Sequence, residues 1–204
     1  MRIVDQSHEI LTPINEILDY PKRIERAGRV CYKSEDKITD ISSDTFIKMI
    51  MKKGHLSVIE HCSITVLGVT DRGVSHELIR HRIASYSQES TRFCDYSTNG
   101  KFHGLTFCKP VYYDDNSYEL DLWKVDMLTS ERIYQNARGR GLAPQFARDR
   151  LPNSLKTEIV MTFNLREWLH VFSLRAVAPP VHPQIASLMS GIQEEFHKLL
   201  PCLF

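Results

Sequence analysis

The sequence predicts a mixed α and β fold (α+β) in a single domain over residues 1–204. Two observations predict it. β-branched, apolar runs at 64–69 and 158–163 read as strands, while apolar residues at helical spacing over 43–54, 120–139 and 185–196 read as helices. Strands and helices alternate irregularly, not as a regular βα repeat. At 204 residues the chain is long enough for a sizeable core, and 42% hydrophobic with 25% charged residues is ordinary for a soluble globular protein. No internal repeat and no linker stands out.

Residues 2–5 read as a short edge strand. Pro21 suits the first turn of a helix reaching Ala27, with Gly28 as its stop. Ser43 and Asp44 can cap a helix through Phe46, Ile47, Ile50 and Met51, closed by Gly54. Ile64 to Val69 form a strand. Residues 71–79 are helical, with Val74 and Leu78 on one apolar stripe. Continuing that helix puts Glu77, Arg80 and His81 on one face. Ser85, Tyr86 and Ser87 break it, because hydroxyls compete for backbone groups there, and an irregular loop follows. Leu105 to Phe107 are a weaker strand candidate. Leu120, Trp123 and Met127 mark a long helix toward Gly139, and the Arg138-Gly139-Arg140-Gly141 run reads as its C-cap and a turn. Ile185, Leu188, Met189, Ile192 and Phe196 make the last helix amphipathic.

Composition excludes several classes. The net charge of +1 does not suit a nucleic-acid polycation. The five cysteines (Cys31, Cys62, Cys94, Cys108, Cys202) are odd in number and contain no Cys-x-x-Cys, so reduced thiols are the simpler expectation. Cys31 and Cys94 are expected to be buried or incidental. No signal-peptide core and no apolar run near the ~20 residues of a membrane span occur, so a cytoplasmic protein without membrane contact is expected (host cytoplasm if viral). His55, Glu60 and His61 lack a partner set at zinc spacing, and His76 and His81 are five apart rather than four; no metal is expected.

The densest chemistry lies in residues 80–92. Arg80, His81, Arg82 and Arg92 stand among Ser85, Ser87, Ser90 and Thr91. Arginine grips phosphate bidentately, and short hydroxyls complete such a contact. The run reads as a site for a phosphate-bearing ligand. A basic patch for nucleic acid is the competing class. Ser90 lacks a Gly-x-Ser-x-Gly elbow or an evident base, so it reads as a phosphate contact rather than a nucleophile.

Arg80-His81-Arg82, seven residues, then Ser90 resembles the signature of the flavin-dependent thymidylate synthases. Further blocks resemble that family in its own order: residues 27–32, 54–61, 147–153 and 164–170, ending at Leu174-Arg175-Ala176. The resemblance implies a mixed sheet flanked by helices. It also implies transfer of a one-carbon unit from methylene-tetrahydrofolate to carbon 5 of dUMP, reduction by hydride from FAD, and recharging of FAD by NADPH. By the same resemblance Arg175 is the catalytic residue at the pyrimidine. Glu77, Arg80, Ser90, Thr91, Arg92 and Arg148 join it in binding the nucleotide. Ser57, Arg80, His81, Arg82, Gln88, Asn164, Arg166 and His170 match flavin-contacting positions, and His55 falls beside flavin and folate. The family assembles each site from several subunits of a homotetramer. One departure stands out: after Arg175-Ala176 the family usually has a short segment with His-Ala, whereas residues 177–184 here hold three prolines and one inserted residue. Compact viral relatives would look like this, and a dCMP-directed or hydroxymethylating variant stays open.

Overall fold

The computed structural model describes residues 1–177 and 179–204. Its strands are β1 (Arg2–Val4), β2 (Ser7–Ile10), β3 (Ser63–Asp71), β4 (Ala84–Gln88), β5 (Thr106–Cys108) and β6 (Lys156–Asn164). Its helices are α1 (Ile14–Val30), α2 (Ser42–Lys52), α3 (Arg72–Leu78), α4 (Tyr118–Gly139), α5 (Pro144–Ala147), α6 (Leu165–Arg175) and α7 (Pro183–Leu199). The mixed α and β class is as expected. One sheet runs β2-β3-β6-β4, and β1 pairs in parallel with β5.

The chain forms two compact units. Unit 1 comprises Met1–Ser7, Gly68–Arg80 and Ser87–Ile159; unit 2 comprises His8–Leu67, His81–Tyr86 and Val160–Phe204. The division falls inside the Arg-His-Arg motif: Arg80 belongs to unit 1, His81 and Arg82 to unit 2.

Unit 1 is built on α4. Ser117 caps that helix by accepting from Leu120 N (3.2 Å), and Leu120, Trp123, Met127, Tyr134 and Ala137 line its buried face. They pack on Tyr96, Leu105, Phe107, Ala147 and Leu155. Arg138 donates to both carboxylate oxygens of Asp95, at 3.0 and 2.7 Å, so its fork ties the end of α4 to the loop beneath it. Gly141 follows with φ of +86°, the turn expected after Gly139.

Unit 2 packs α1, α2, α6 and α7 around an aromatic core. Trp168 stands edge-on to Phe163 (4.4 Å) and Phe196 (5.0 Å) and stacks on Phe172 (5.4 Å). Its indole N–H donates to the Ile64 carbonyl at 3.0 Å, which satisfies the one polar atom of a fully buried ring. The α7 residues Ile185, Leu188, Met189, Ile192 and Phe196 are all buried, as their spacing requires.

Four sequence expectations are corrected. The first helix does not begin at Pro21: it starts at Ile14 behind Pro13 and carries Pro21 inside it. Gly28 does not stop it. A Cβ there would stand 2.5 Å from Phe46 Cζ, so the glycine lets α1 and α2 approach closely. The helix α3 ends at Leu78, with Ile79 as C-cap, so Arg80 and His81 do not continue a face with Glu77. Val74 and Leu78 are buried, as their stripe predicts, and the Asp71 carboxylate caps the helix by accepting from Val74 N at 2.7 Å. Residues 84–88 are strand β4 and not an irregular loop, because pairing in the sheet satisfies the backbone that the hydroxyls would otherwise capture. Cys31 is exposed; all five cysteines are free thiols. β2, α5 and α6 carried no sequence expectation.

Candidate active site

In unit 1 the candidate phosphate contacts follow β4 directly. The Ser90 carbonyl accepts from Phe93 N (3.2 Å) and Cys94 N (2.9 Å), which closes a turn around Ser90, Thr91 and Arg92. Thr91 is buried and Arg92 exposed. Arg92 Nε donates to Gln145 Oε1 at 3.3 Å, and Gln145 lies on α5, three residues before the exposed Arg148. The Ser90 turn is thereby tied to the segment that carries Arg148. Gln88 turns inward: its amide nitrogen donates to Ser75 Oγ (2.8 Å) and Thr157 Oγ1 (3.1 Å). Arg80 is exposed, and its N–H donates to the Glu77 carbonyl at 3.3 Å.

Sequence reasoning missed the anchor of this turn, Glu89. Its carboxylate accepts from Tyr96 Oη (2.6 Å) and Lys156 Nζ (3.0 Å). Its N–H donates to the Glu158 carbonyl at 2.9 Å, and its own carbonyl accepts from Arg72 Nη1 at 3.4 Å. Lys156 also pairs with Glu158. Burial opposes the Lys156 charge, but the two carboxylates outweigh it and its pKa rises. A residue bound on every polar side makes a rigid stop just before Ser90.

In unit 2 the flavin-matching residues gather on α6. Asn164 is its N-cap, accepting from Glu167 N at 2.8 Å. Arg166, His170 and Arg175 follow along the same helix. His81 is buried against it. Arg175 Nε donates to His81 Nε2 at 3.3 Å, the His170 ring stands edge-on to His81 at 6.0 Å, and Glu167 Oε1 lies 3.7 Å from His81 Nδ1. Tyr86 Oη holds the His81 carbonyl at 2.9 Å. Burial lowers the His81 pKa, and Arg175 and His170 lower it further; burial raises that of Glu167. Arg82 is exposed.

A cleft of about 410 Å³ in the same unit is lined by Tyr32, Phe46, His55, Ser57, Val58 and Arg166, among others. It brings Ser57, His55 and Arg166 together, three residues the sequence set beside flavin or folate from distant segments. Tyr32 Oη and His55 Nδ1 share a hydrogen bond at 3.3 Å, and Arg166 Nη1 bonds Glu60 Oε1 at 2.6 Å. Aromatic walls with a guanidinium and a hydroxyl suit a ring-bearing anionic ligand.

His81, Glu167 and His170 offer ligand atoms within 4.8 Å of one another, a constellation the sequence hides because His81 lies far upstream of the other two. Arg175 Nε stands at the Nε2 side of the His81 ring, and Nδ1 is the nitrogen that faces Glu167.

Comparison with known proteins adds to this geometry. Residues 14–202 match the family described as "Thymidylate synthase complementing protein". The chain is 34% identical over 157 residues to the flavin-dependent thymidylate synthase of Geobacter sulfurreducens, covering 73% of this chain and 66% of that one. It is 31% identical over 161 residues to that of Pyrococcus furiosus, covering 78% and 65%. With that of Mycobacteroides abscessus the identity is 32% over 202 residues, covering 90% and 78%. The chain thus spans 66% and 65% of the length of the first two relatives. Among solved structures it resembles a UMP/dUMP methylase, PolB from Streptomyces cacaoi. TM-scores are 0.71 with 5-Br dUMP bound and 0.74 with 5-Br UMP bound, at 23% and 22% identity. These alignments cover 100% of this chain and 95% and 94% of the other, and they show the fold.

Proposed function

Because the chain belongs to the thymidylate synthase complementing protein family, we propose that it methylates carbon 5 of dUMP with a bound flavin. The observation that carries this reading is the α6 array: Asn164, Arg166, His170 and Arg175 on one helix, with Arg175 bonded to the His81 ring. FAD is the proposed cofactor, methylene-tetrahydrofolate the one-carbon donor and NADPH the reductant. The donor set fits a flavin dinucleotide: Arg166 offers charge to its phosphates, Ser57 a hydroxyl, and Tyr32 and His55 flat faces. When bound, the flavin supplies the hydride that reduces the transferred carbon.

This chain's residues do the rest. Ser90, Thr91, Arg92 and Arg148, with Arg80 and Glu77, bind the nucleotide, the arginines and hydroxyls taking its dianionic phosphate. Arg175 places its guanidinium at the imide edge of uracil and stabilises the negative charge that builds there as carbon 5 becomes nucleophilic. Ser57, His81, Arg82, Gln88, Asn164, Arg166 and His170 hold the flavin. No cysteine is given a role at the pyrimidine: Cys62 and Cys202 are buried thiols held to about 11, far from thiolate at neutral pH. A homotetramer that shares its sites is proposed as the working form. The exposed apolar face of α4 supports assembly, with Tyr118 (72%), Leu122 (47%), Val125 (58%) and Leu128 (51%) open to water.

The test is a parallel assay with dUMP and dCMP, each with methylene-tetrahydrofolate, FAD and NADPH. The expected result is yellow protein and faster product from dUMP. Guanidinium has only donors, and cytosine would meet it with an amino group, which costs about 1–3 kcal/mol, or roughly fivefold to a hundredfold. Faster turnover of dCMP would overturn the uracil assignment and leave the flavin assignment standing. Protein that retains no flavin after reconstitution would overturn both.

A further inference from the structure

Glu167 is the one buried acid of α6, with its side chain 9% exposed. A glutamate three residues after an asparagine N-cap commonly folds back onto the cap N–H. Here Asn164 takes the Glu167 N–H, and the Glu167 carboxylate lies 3.7 Å from His81 Nδ1. On the far side of the same ring, His81 Nε2 accepts from Arg175 Nε at 3.3 Å. Glu167 and Arg175 are eight residues apart, about 12 Å along a helix. They meet one imidazole because helical side chains tilt toward the N-terminus and arginine is long enough to lie back along the axis.

The imidazole can serve both neighbours in one tautomer only. An Arg175 donor demands a lone pair on Nε2, so the proton must sit on Nδ1, facing the carboxylate. A positive charge on the ring, or the proton on Nε2, would set donor against donor. Resting on the assignment of Arg175 to the pyrimidine, we propose that Glu167 is a positioning residue: its carboxylate holds His81 as the Nδ1–H tautomer, and the His81 Nε2 lone pair then orients the Arg175 guanidinium. Nothing in the sequence motif marks Glu167, because the ring it orders lies 86 residues earlier.

The experiment combines imidazole-¹⁵N NMR on the full chain with turnover. His81 resonances are assigned by their loss in His81→Asn. In the native protein His81 should show a protonated Nδ1 and an unprotonated Nε2. Glu167→Gln keeps an acceptor of the same shape and should keep that tautomer, with turnover within about threefold. Glu167→Leu should shift the proton toward Nε2 and lower kcat for methyl transfer about a hundredfold, the loss expected of a misplaced catalytic group, while flavin reduction by NADPH persists. A native Nε2–H tautomer overturns the proposal without any variant, and so does stoichiometric zinc binding that displaces the His81 Nδ1 proton. Equal damage from Gln and Leu with the tautomer unmoved overturns it as well. A tautomer that shifts in Glu167→Leu with turnover unchanged would instead overturn the assignment of Arg175 to the pyrimidine.

Discussion

Arg175 and His81 form the most consequential pair at the residue scale. Burial, Arg175 and His170 all depress the His81 pKa below its ordinary 6.5. The sign follows: a depressed histidine stabilises the fold fully above the unfolded value of 6.5, and that contribution is lost as pH falls through the lower folded value. Charging the ring also removes the Nε2 lone pair that Arg175 uses. The His81 titration midpoint followed by ¹H NMR should therefore lie below 6.5, and a midpoint above it would contradict the burial described. Arg175→Ala should slow methyl transfer by roughly a hundredfold or more, about 3 kcal/mol of barrier, the scale of losing one donor to a developing anion. Reduction of flavin by NADPH should survive. Stopped-flow absorbance separates the two half-reactions, and normal thymidylate formation would refute the role given to Arg175.

Among elements, α1 and α2 pack at a distance only glycine permits. A Cβ on Gly28 would press on the Phe46 ring, which Arg29 also covers at 4.7 Å. Gly28→Ala should cost about 1–3 kcal/mol by overpacking and lower Tm by several degrees. The same substitution at Gly139, where nothing lies within 4 Å, should leave Tm at or slightly above the native value. Calorimetry on the two variants distinguishes steric conflict from loss of backbone freedom. Phe46 also lines the cleft with Ser57 and Arg166, so Gly28→Ala should weaken flavin retention alongside stability.

For the whole molecule the central question is assembly. The proposed homotetramer predicts about four chain masses in sedimentation velocity at assay concentration. A charge placed in the exposed α4 face, Val125→Asp, should lower both mass and turnover while the monomer keeps its circular dichroism. Full activity from a monomer would overturn shared sites. Among the described residues no helix is long and apolar enough to cross a membrane.

The sequence by itself determined the strongly patterned parts. The β-branched run of β3, the amphipathic α4 and α7, and the Val74 and Leu78 stripe of α3 are local signals, and local physics realises them. The ordered blocks around Arg80, Ser90, Arg148 and Arg175 likewise made the family legible, because functional groups stay in sequence order whatever the packing. Only tertiary structure decided the rest. Pro21 sits inside α1 because packing outweighs one missing hydrogen bond, and Gly28 serves a neighbour rather than a turn. Residues 84–88 became a strand because the sheet had an edge to pair with. Glu89 and Glu167 acquired their roles from partners 67 and 86 residues away, Lys156 and His81. The reason is common to all of these: a long-range partner repays a local cost, and no window of sequence contains it.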